Sequence, residues 1–153
     1  MSNTATHSDG FIENRTFDEI EVGDWASYHH TLSLDDIKLF AVMSGDVNPA
    51  VMDEEFAKSD IFHEIVGHGM WSASLISTVL GTQLPGPGTI YLGQTLTFTR
   101  PVMPGDTITV TCTVTEKNIA NQHVLFDCKA ENQRGELVLK RSEEHTSELQ
   151  SQR

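Results

Sequence analysis

The hydrophobic pattern of the chain changes abruptly near Thr89, and this change constrains the fold more than any other feature. Residues 70–80 are apolar on nearly every side, which is typical of a buried helix. After Thr89 the apolar residues alternate with a period of two, which indicates strands. A buried helix followed by an antiparallel run predicts an α+β fold whose sheet wraps around the helix. The predicted strands are residues 25–32, 90–99, 107–116, 123–131 and 136–140.

Helix boundaries can be predicted from capping residues. Ser33 is a candidate N-cap because Asp36 follows three residues later, which is a capping-box pattern. That helix should end at Gly45. A short helix is expected over residues 53–59, and Gly81 should close the buried helix.

The composition of the 153-residue chain fits one domain and argues against some classes of function. Ten basic and 22 acidic side chains give a net charge of −12, which would repel nucleic acid but leaves room for a phosphorylated ligand held by local amides. No apolar run is long enough for a membrane span. The polar N-terminus has no basic region followed by an apolar block, so we do not expect a secretory signal. We therefore expect a cytoplasmic location.

Two cysteines, Cys112 and Cys128, provide neither a disulfide framework nor four metal ligands. If the turn between their strands is centred near Ala120, they face each other across a hairpin. A cross-strand disulfide is then geometrically possible, but reduced core thiols are expected in a cytoplasmic chain.

The last segment, RSEEHTSELQSQR at residues 141–153, has no apolar period. It resembles the conceptual translation of a common sequencing-library adapter, in which AGATCGGAAGAGCACACG encodes Arg-Ser-Glu-Glu-His-Thr. We therefore expect this tail to be non-native and to make few tertiary contacts. Residues 1–16 are predicted to be a loose lead-in. The domain should then span residues 17–140, with its last strand cut short.

The residues that could take part in a chemical reaction lie before and at the start of the buried helix. Asp46 sits in a loop rich in Gly, Asn and Pro, and Gly67-His68-Gly69 opens the helix about twenty residues later. Glycines at a helix start allow close approach to a ligand, and the free N–H groups there favour negative charge. An acid beside such amides suits proton transfer next to a thioester carbonyl. The plainer interpretation is a turn acid and an ordinary helix start.

Several motifs together resemble the MaoC-like (R)-specific enoyl-CoA hydratases. These motifs, SGDVNP, HGM, LPGPGTIYLGQ and RPVMPGD, occur in order between residues 44 and 106, and the similarity extends over residues 11–140. The opening FIENRTFDEIEVGD is similar in particular to the hydratase half of bifunctional enoyl-CoA hydratase–phosphate acetyltransferase proteins. The resemblance implies a hot-dog fold, a homodimer, and reversible hydration of trans-2-enoyl-CoA to (R)-3-hydroxyacyl-CoA without a cofactor. It also implies that a C-terminal transferase domain belongs to the same gene.

The resemblance assigns roles to four residues. In the family pattern D-x-N-P-x-H, an Asp and a His hold and activate the water; Asp46 matches the Asp and Asn48 the supporting Asn. Gly69 matches the glycine whose backbone N–H serves the thioester oxygen, and Ser77 matches a supporting serine. The position of the family His is Val51 here, and valine cannot transfer a proton. Activity is therefore expected to be weakened, since one acid–base group typically contributes about 10²–10⁴-fold.

The remaining histidines are weaker candidates. His63 could in principle replace the missing base, although an ordinary surface histidine is the simpler interpretation. His68 is expected to be a hydrogen-bonded structural residue. His29 and His30 are adjacent on a predicted strand and should face opposite ways, so no metal site is predicted.

Two alternatives to an active hydratase stay open at this point. The domain could be a catalytically silent module that binds acyl thioesters or supports dimerisation of a larger enzyme. It could also be an acyl-carrier-protein dehydratase that uses the same cleft.

Overall fold

A long helix packs against one face of a single antiparallel sheet. The computed structural model of the chain describes residues 14–46 and 67–140 with their side chains, and residues 141 and 147–151 by their backbone. In chain order the elements are a 3-10 turn (Phe17–Glu19), β1 (Trp25–Thr31), α1 (Leu34–Ser44), α2 (Gly69–Thr82), β2 (Thr89–Gly93), β3 (Leu96–Phe98), β4 (Thr107–Asn118), β5 (His123–Glu131), β6 (Leu137–Arg141) and β7 (Ser147–Ser151).

The sheet is built around the hairpin of β4 and β5. Its main path runs β1-β4-β5-β6-β3, and β7 pairs with both β5 and β2. The described pairings are antiparallel. The hairpin register sets Cys112 opposite Cys128, as predicted; both cysteines are buried and no disulfide joins them.

The core lies between α2 and the sheet. Trp71, Leu75 and Val79 are 7%, 5% and 0% exposed, which confirms the prediction that this helix is buried. Each large apolar side chain removed from water contributes roughly 1.5–3 kcal/mol. Because α2 packs on β1 and β4 of this antiparallel sheet, the chain has the predicted α+β hot-dog fold.

The capping residues of α1 act as predicted. The backbone N–H of Asp36 donates to Ser33 Oγ at 3.0 Å, and the Ser33 N–H donates to Asp36 Oδ2 at 3.0 Å. This pair satisfies two donors at a helix start. Gly45 ends the helix in the left-handed region at φ 80°, where its N–H donates to the Ala41 carbonyl.

Two predicted boundaries were wrong. The segment predicted as one strand over residues 90–99 is divided into β2 and β3, because β2 pairs with β7 whereas β3 pairs with β6. The buried helix continues through Gly81 to Thr82. The Gln83 N–H still donates to the Val79 carbonyl at 2.9 Å, so the helical ladder does not stop at the glycine.

The expectation that the tail makes few tertiary contacts was also wrong. Residues 147–151 form β7, which is inserted between β2 and the first half of β5. Unpaired N–H and C=O groups on two strands form main-chain hydrogen bonds with any extended segment, whatever its side chains. A strand can therefore form in a segment whose apolar residues do not alternate with polar ones.

Some predictions concern parts of the chain outside the described residues. These are the short helix over residues 53–59 and the positions of Asn48, Val51 and His63. Neither helix of the described segments is long and apolar enough to cross a membrane.

Candidate functional site

The C-terminus of α1 and the N-terminus of α2 meet at a contact between Asp46 and His68. His68 Nε2 donates a hydrogen bond to the backbone carbonyl oxygen of Asp46 at 2.8 Å, and it lies 3.9 Å from the carboxylate Oδ2 of the same residue. Because a carbonyl oxygen only accepts, Nε2 carries the hydrogen in this contact. The contact brings residues that are 22 positions apart in the sequence to one place.

Local structure fixes the backbone of Asp46 from the α1 side. Gly45 turns the chain out of the helix, and Ser44 Oγ donates to the Phe40 carbonyl at 2.6 Å. The same hydroxyl accepts from the Asp46 N–H at 3.2 Å. The Asp46 side chain is 56% exposed, so its carboxylate lies at the surface beside the start of α2.

His68 has the structural role that the sequence predicts. Its side chain is only 2% exposed, and its ring lies 4.9 Å from the ring of Phe40. Its Nδ1 has no hydrogen-bond partner among the described residues. This histidine therefore connects α1 to α2 and does not face solvent as a proton donor would.

The two glycines of the Gly67-His68-Gly69 motif serve different purposes. A Cβ at Gly67 would lie 2.6 Å from Leu32 Cδ2 and 3.2 Å from the Val102 carbonyl oxygen, so this position requires glycine for packing. The Gly67 N–H also donates to Val102 O at 2.6 Å. At Gly69, a Cβ would touch the Phe98 ring at 3.4 Å, an ordinary contact distance. Glycine at 69 therefore keeps space open rather than preventing a clash.

That space is a cleft of about 350 Å³ at the start of α2. The first N–H groups of a helix have no intrahelical acceptor, so the cleft can stabilise negative charge on a ligand oxygen. Its walls are mainly apolar, with one guanidinium. They comprise Gly67, Gly69, Ser72, Phe98, Thr99, Arg100, Pro101, Val102 and Val138.

A second groove, of about 430 Å³, lies between α1 and the first two turns of α2. Its lining includes neither Gly67 nor Gly69, the two glycines at the start of α2. Its lining consists of Asp36, Leu39, Phe40, Met43, Trp71 and Ser74. The first cleft is therefore the better candidate for a thioester group.

Arg100 is the basic side chain of the first cleft. It is 54% exposed, and its Nη1 lies 3.8 Å from Glu136 Oε2. Hydrogen bonds from Asn132 and Arg134, followed by attraction to Arg100, hold the pKa of Glu136 below its usual value. The carboxylate therefore stays ionised beside Arg100, and an anionic ligand would compete with it for the guanidinium.

The predicted site residues are only partly brought together. Asp46 and Gly69 lie on either side of His68, at the junction of α1 and α2. Ser77 lies about two turns further along α2 and its side chain is exposed. The relation of Asn48 and Val51 to this junction lies outside the described residues.

Sequence reasoning missed Ser72 and Arg100 as cleft residues. Ser72 follows Gly69 by three positions, which places both on one face of a helix. The spacing of Gly69 and Ser72 could therefore have identified Ser72 as a candidate cleft residue from the sequence. Arg100 comes from the segment between β3 and β4, so only the tertiary structure brings it to the cleft. Within the described segments, no cluster of three or more His, Cys, Asp or Glu side chains could hold a metal ion.

Comparisons with known proteins show the family and the fold of the chain. Residues 21–133 match the family model described as MaoC like domain. The (R)-specific enoyl-CoA hydratase of Rhodospirillum rubrum is 52% identical over 99 residues, which cover 65% of this chain and 69% of the relative. The 3-hydroxybutyryl-CoA dehydratase of Methylorubrum extorquens is 43% identical over 100 residues, or 65% and 64% of the two chains. The solved structure of unliganded R-hydratase PhaJ1 from Pseudomonas aeruginosa has a TM-score of 0.83 and 43% identity, covering 90% of this chain and 86% of that one.

Proposed function

Because this chain belongs to the MaoC-like domain family, we propose that it hydrates a trans-2-enoyl-CoA reversibly to the (R)-3-hydroxyacyl-CoA. The observation that supports the proposal is the His68–Asp46 contact, because it connects Asp46 to the residue that directly precedes Gly69, and Gly69 lines the cleft. Its relatives carry the names hydratase and dehydratase, which describe the two directions of one reaction.

In the proposed reaction, the oxygen of water adds to C3 of the enoyl group and a proton adds to C2. Electron density moves onto the thioester oxygen as the new C–O bond forms. The Gly69 N–H at the start of α2 would stabilise that developing charge. Asp46 would hold the water and accept its proton, and the proton returned to C2 completes the addition.

Asn48 and Ser77 enter the proposal as supporting residues, by their match to the family motif. Val51 stands where the motif has its second acid–base group, so the proposal includes a slowed reaction. A loss of about 10²–10⁴-fold is typical for one such group. His63 is a possible substitute for the missing base.

We also propose a cytoplasmic homodimer. Cys112 and Cys128 are not joined in a disulfide, which suits a reducing compartment. Ile90 and Leu92, on one face of β2, are 41% and 43% exposed, and an apolar patch of this kind suits a protein contact. Light scattering at micromolar concentration would measure a mass of two chains, whereas a monomer would argue against the dimer.

At the level of the gene, we propose that this domain precedes a phosphate acetyltransferase domain. The support is the similarity of residues 11–24 to the hydratase half of such bifunctional proteins. Sequencing an independent genomic clone beyond the codon for Lys140 tests this proposal together with the adapter origin of residues 141–153. Finding the same tail codons there would contradict the adapter origin.

One experiment separates hydration from the alternatives. The rate of crotonyl-CoA hydration is measured beside a thermal-shift titration with butyryl-CoA, which cannot be hydrated. Turnover together with stabilisation supports the hydratase. Stabilisation without turnover favours the catalytically silent acyl-thioester-binding domain. Turnover only when the acyl group is attached to acyl carrier protein favours the dehydratase. If no turnover is seen with either acyl carrier and butyryl-CoA does not stabilise the chain, all three interpretations are overturned.

A further inference from the structure

Ser72 differs from the other hydroxyl-bearing residues of α2 whose contacts are described. Ser74, Thr78 and Thr82 each donate to a backbone carbonyl three or four residues earlier, at 2.5, 3.4 and 2.5 Å. That bond is the usual way for a helical Ser or Thr to satisfy its hydroxyl. Ser72 Oγ is buried and has no hydrogen-bond partner among the described residues.

An unpaired buried hydroxyl is costly, so its presence requires an explanation. The residue as a whole is 2% exposed, and burying a hydroxyl without a partner destabilises the folded state. An alanine at position 72 would fill nearly the same space without this cost. The serine hydroxyl therefore contributes little to the free energy of unfolding.

The position of Ser72 indicates what could pair with it. Ser72 lines the same cleft as Gly69 and lies three residues after it, on the same face of α2. Side chains on a helix are directed towards its N-terminus, which brings Oγ towards the Gly69 amide. Rotation about χ1 moves the hydroxyl between staggered positions at the floor of the cleft. A ligand oxygen in the cleft could then accept from both groups.

We propose that Ser72 donates a hydrogen bond to the thioester carbonyl oxygen, as a second donor beside the Gly69 N–H. This inference rests on the proposed function, because it assumes an acyl thioester in the cleft. A carbonyl oxygen has two lone pairs and can accept two such bonds. The ligand would supply the partner that Ser72 Oγ lacks among the described residues.

The test uses two ligands that differ only at the carbonyl. Butyryl-CoA has the thioester oxygen, whereas S-butyl-CoA is the thioether with a CH₂ in its place. Dissociation constants are measured calorimetrically for the unmodified chain, Ser72→Ala and Ser74→Ala. Ser74 is the matched control because its hydroxyl already donates to the Trp71 carbonyl and it does not line the Gly69 cleft.

Ser72→Ala is expected to weaken butyryl-CoA binding about tenfold, because one hydrogen bond to the ligand is lost. It should weaken S-butyl-CoA binding less than about twofold, because the thioether has no oxygen to accept that bond. Its melting temperature should be unchanged or higher, and Ser74→Ala should alter neither affinity. Equal losses for both ligands, or no loss for either, would overturn the role of Ser72. If the unmodified chain binds neither ligand, the proposed function itself fails, and the role of Ser72 falls with it.

Discussion

Gly67 and Gly81 both lie outside the left-handed region, but a methyl group would meet different surroundings at each. At Gly67 it would contact the side chain of Leu32, which is 1% exposed and cannot move away easily. Gly67→Ala should therefore destabilise the chain by about 1–3 kcal/mol, as overpacking usually does. Chemical denaturation measures this free energy of unfolding.

Gly81→Ala is the matched control for that substitution. No atom lies within 4 Å of the added Cβ, and Gly81 lies within α2, near its end. Alanine is the better helix former, so stability should rise by about 0.5–1 kcal/mol. Equal effects of the two substitutions would show that packing around Gly67 does not require glycine.

Asp36 should make stability depend on pH in the acid range. Burial by itself would raise the pKa of this carboxyl, but the Ser33 N–H, the His30 ring at 3.0 Å and the Ser33 hydroxyl stabilise the ionised form and leave the pKa below its usual value. A lowered folded-state pKa contributes stability above the unfolded pKa, and that stability is lost as pH falls through the folded value.

Asp36→Asn is expected to lower stability at pH 7 by about 0.5–2 kcal/mol, because the charged half of the capping box is lost. The difference from the unmodified chain should shrink below about pH 4, near the unfolded pKa of an aspartate. Thermal unfolding of the two proteins from pH 7 to pH 3 measures the loss of stability at pH 7 and its decrease at acid pH. Parallel curves over this range would mean that the Asp36 contacts do not depend on its charge.

Single residues with local roles could be predicted from the sequence. The capping pair Ser33 and Asp36 and the helix end at Gly45 depend on neighbours within four positions. Asp46 and Gly69 were identified as site residues, but their approach through His68 is a tertiary contact. Ser72 was overlooked because a buried unpaired hydroxyl can be recognised only when its surroundings are known.

At the scale of elements, strand existence was easier to predict than strand pairing. The alternation of apolar residues marked β4 and β5 almost to the residue. It could not show that residues 90–99 change partners between β2 and β3, since partners far along the chain decide where a strand breaks. For the same reason β7 was missed: its ladder depends on open edges of β2 and β5.

Ending the chain at Arg141 should therefore weaken the sheet. Without β7, the first half of β5 and the whole of β2 lose a hydrogen-bonded neighbour. The free energy of unfolding should fall by about 2 kcal/mol or more, since a net backbone hydrogen bond contributes about 1 kcal/mol and several are lost. The exposed edges should also promote aggregation.

A chain ending at Ser151 is the control for this truncation, because it retains β7 and should unfold like the full chain. If ending at Arg141 leaves stability unchanged within about 0.5 kcal/mol, the pairing of β7 does not contribute. The tail would then be an appended segment that does not contribute to the free energy of unfolding.

At the scale of the whole molecule, one buried helix and one twisted sheet create the site. Packing of α2 on the sheet sets its N-terminus next to the end of β3, which supplies Phe98 to the cleft, and next to the following segment, which supplies Arg100 and Val102. The periodicity of the sequence predicted an α+β fold whose sheet wraps around a helix, and the resemblance to the MaoC-like hydratases implied the hot-dog fold. The cleft could not be predicted, since its shape depends on side chains from separate elements.

The effect of Val51→His on crotonyl-CoA hydration tests the proposed mechanism most directly. Restoring the D-x-N-P-x-H pattern that begins at Asp46 should raise kcat/KM by about 10²-fold, the lower end for one acid–base group. Asp46→Asn in that background should abolish the gain, because the two groups act as a unit. If Val51→His changes nothing while the unmodified chain already hydrates crotonyl-CoA at ordinary rates, another residue supplies the base, and His63 is the first to substitute. If the unmodified chain and the Val51→His variant are both inactive, the proposed role of Asp46 is contradicted.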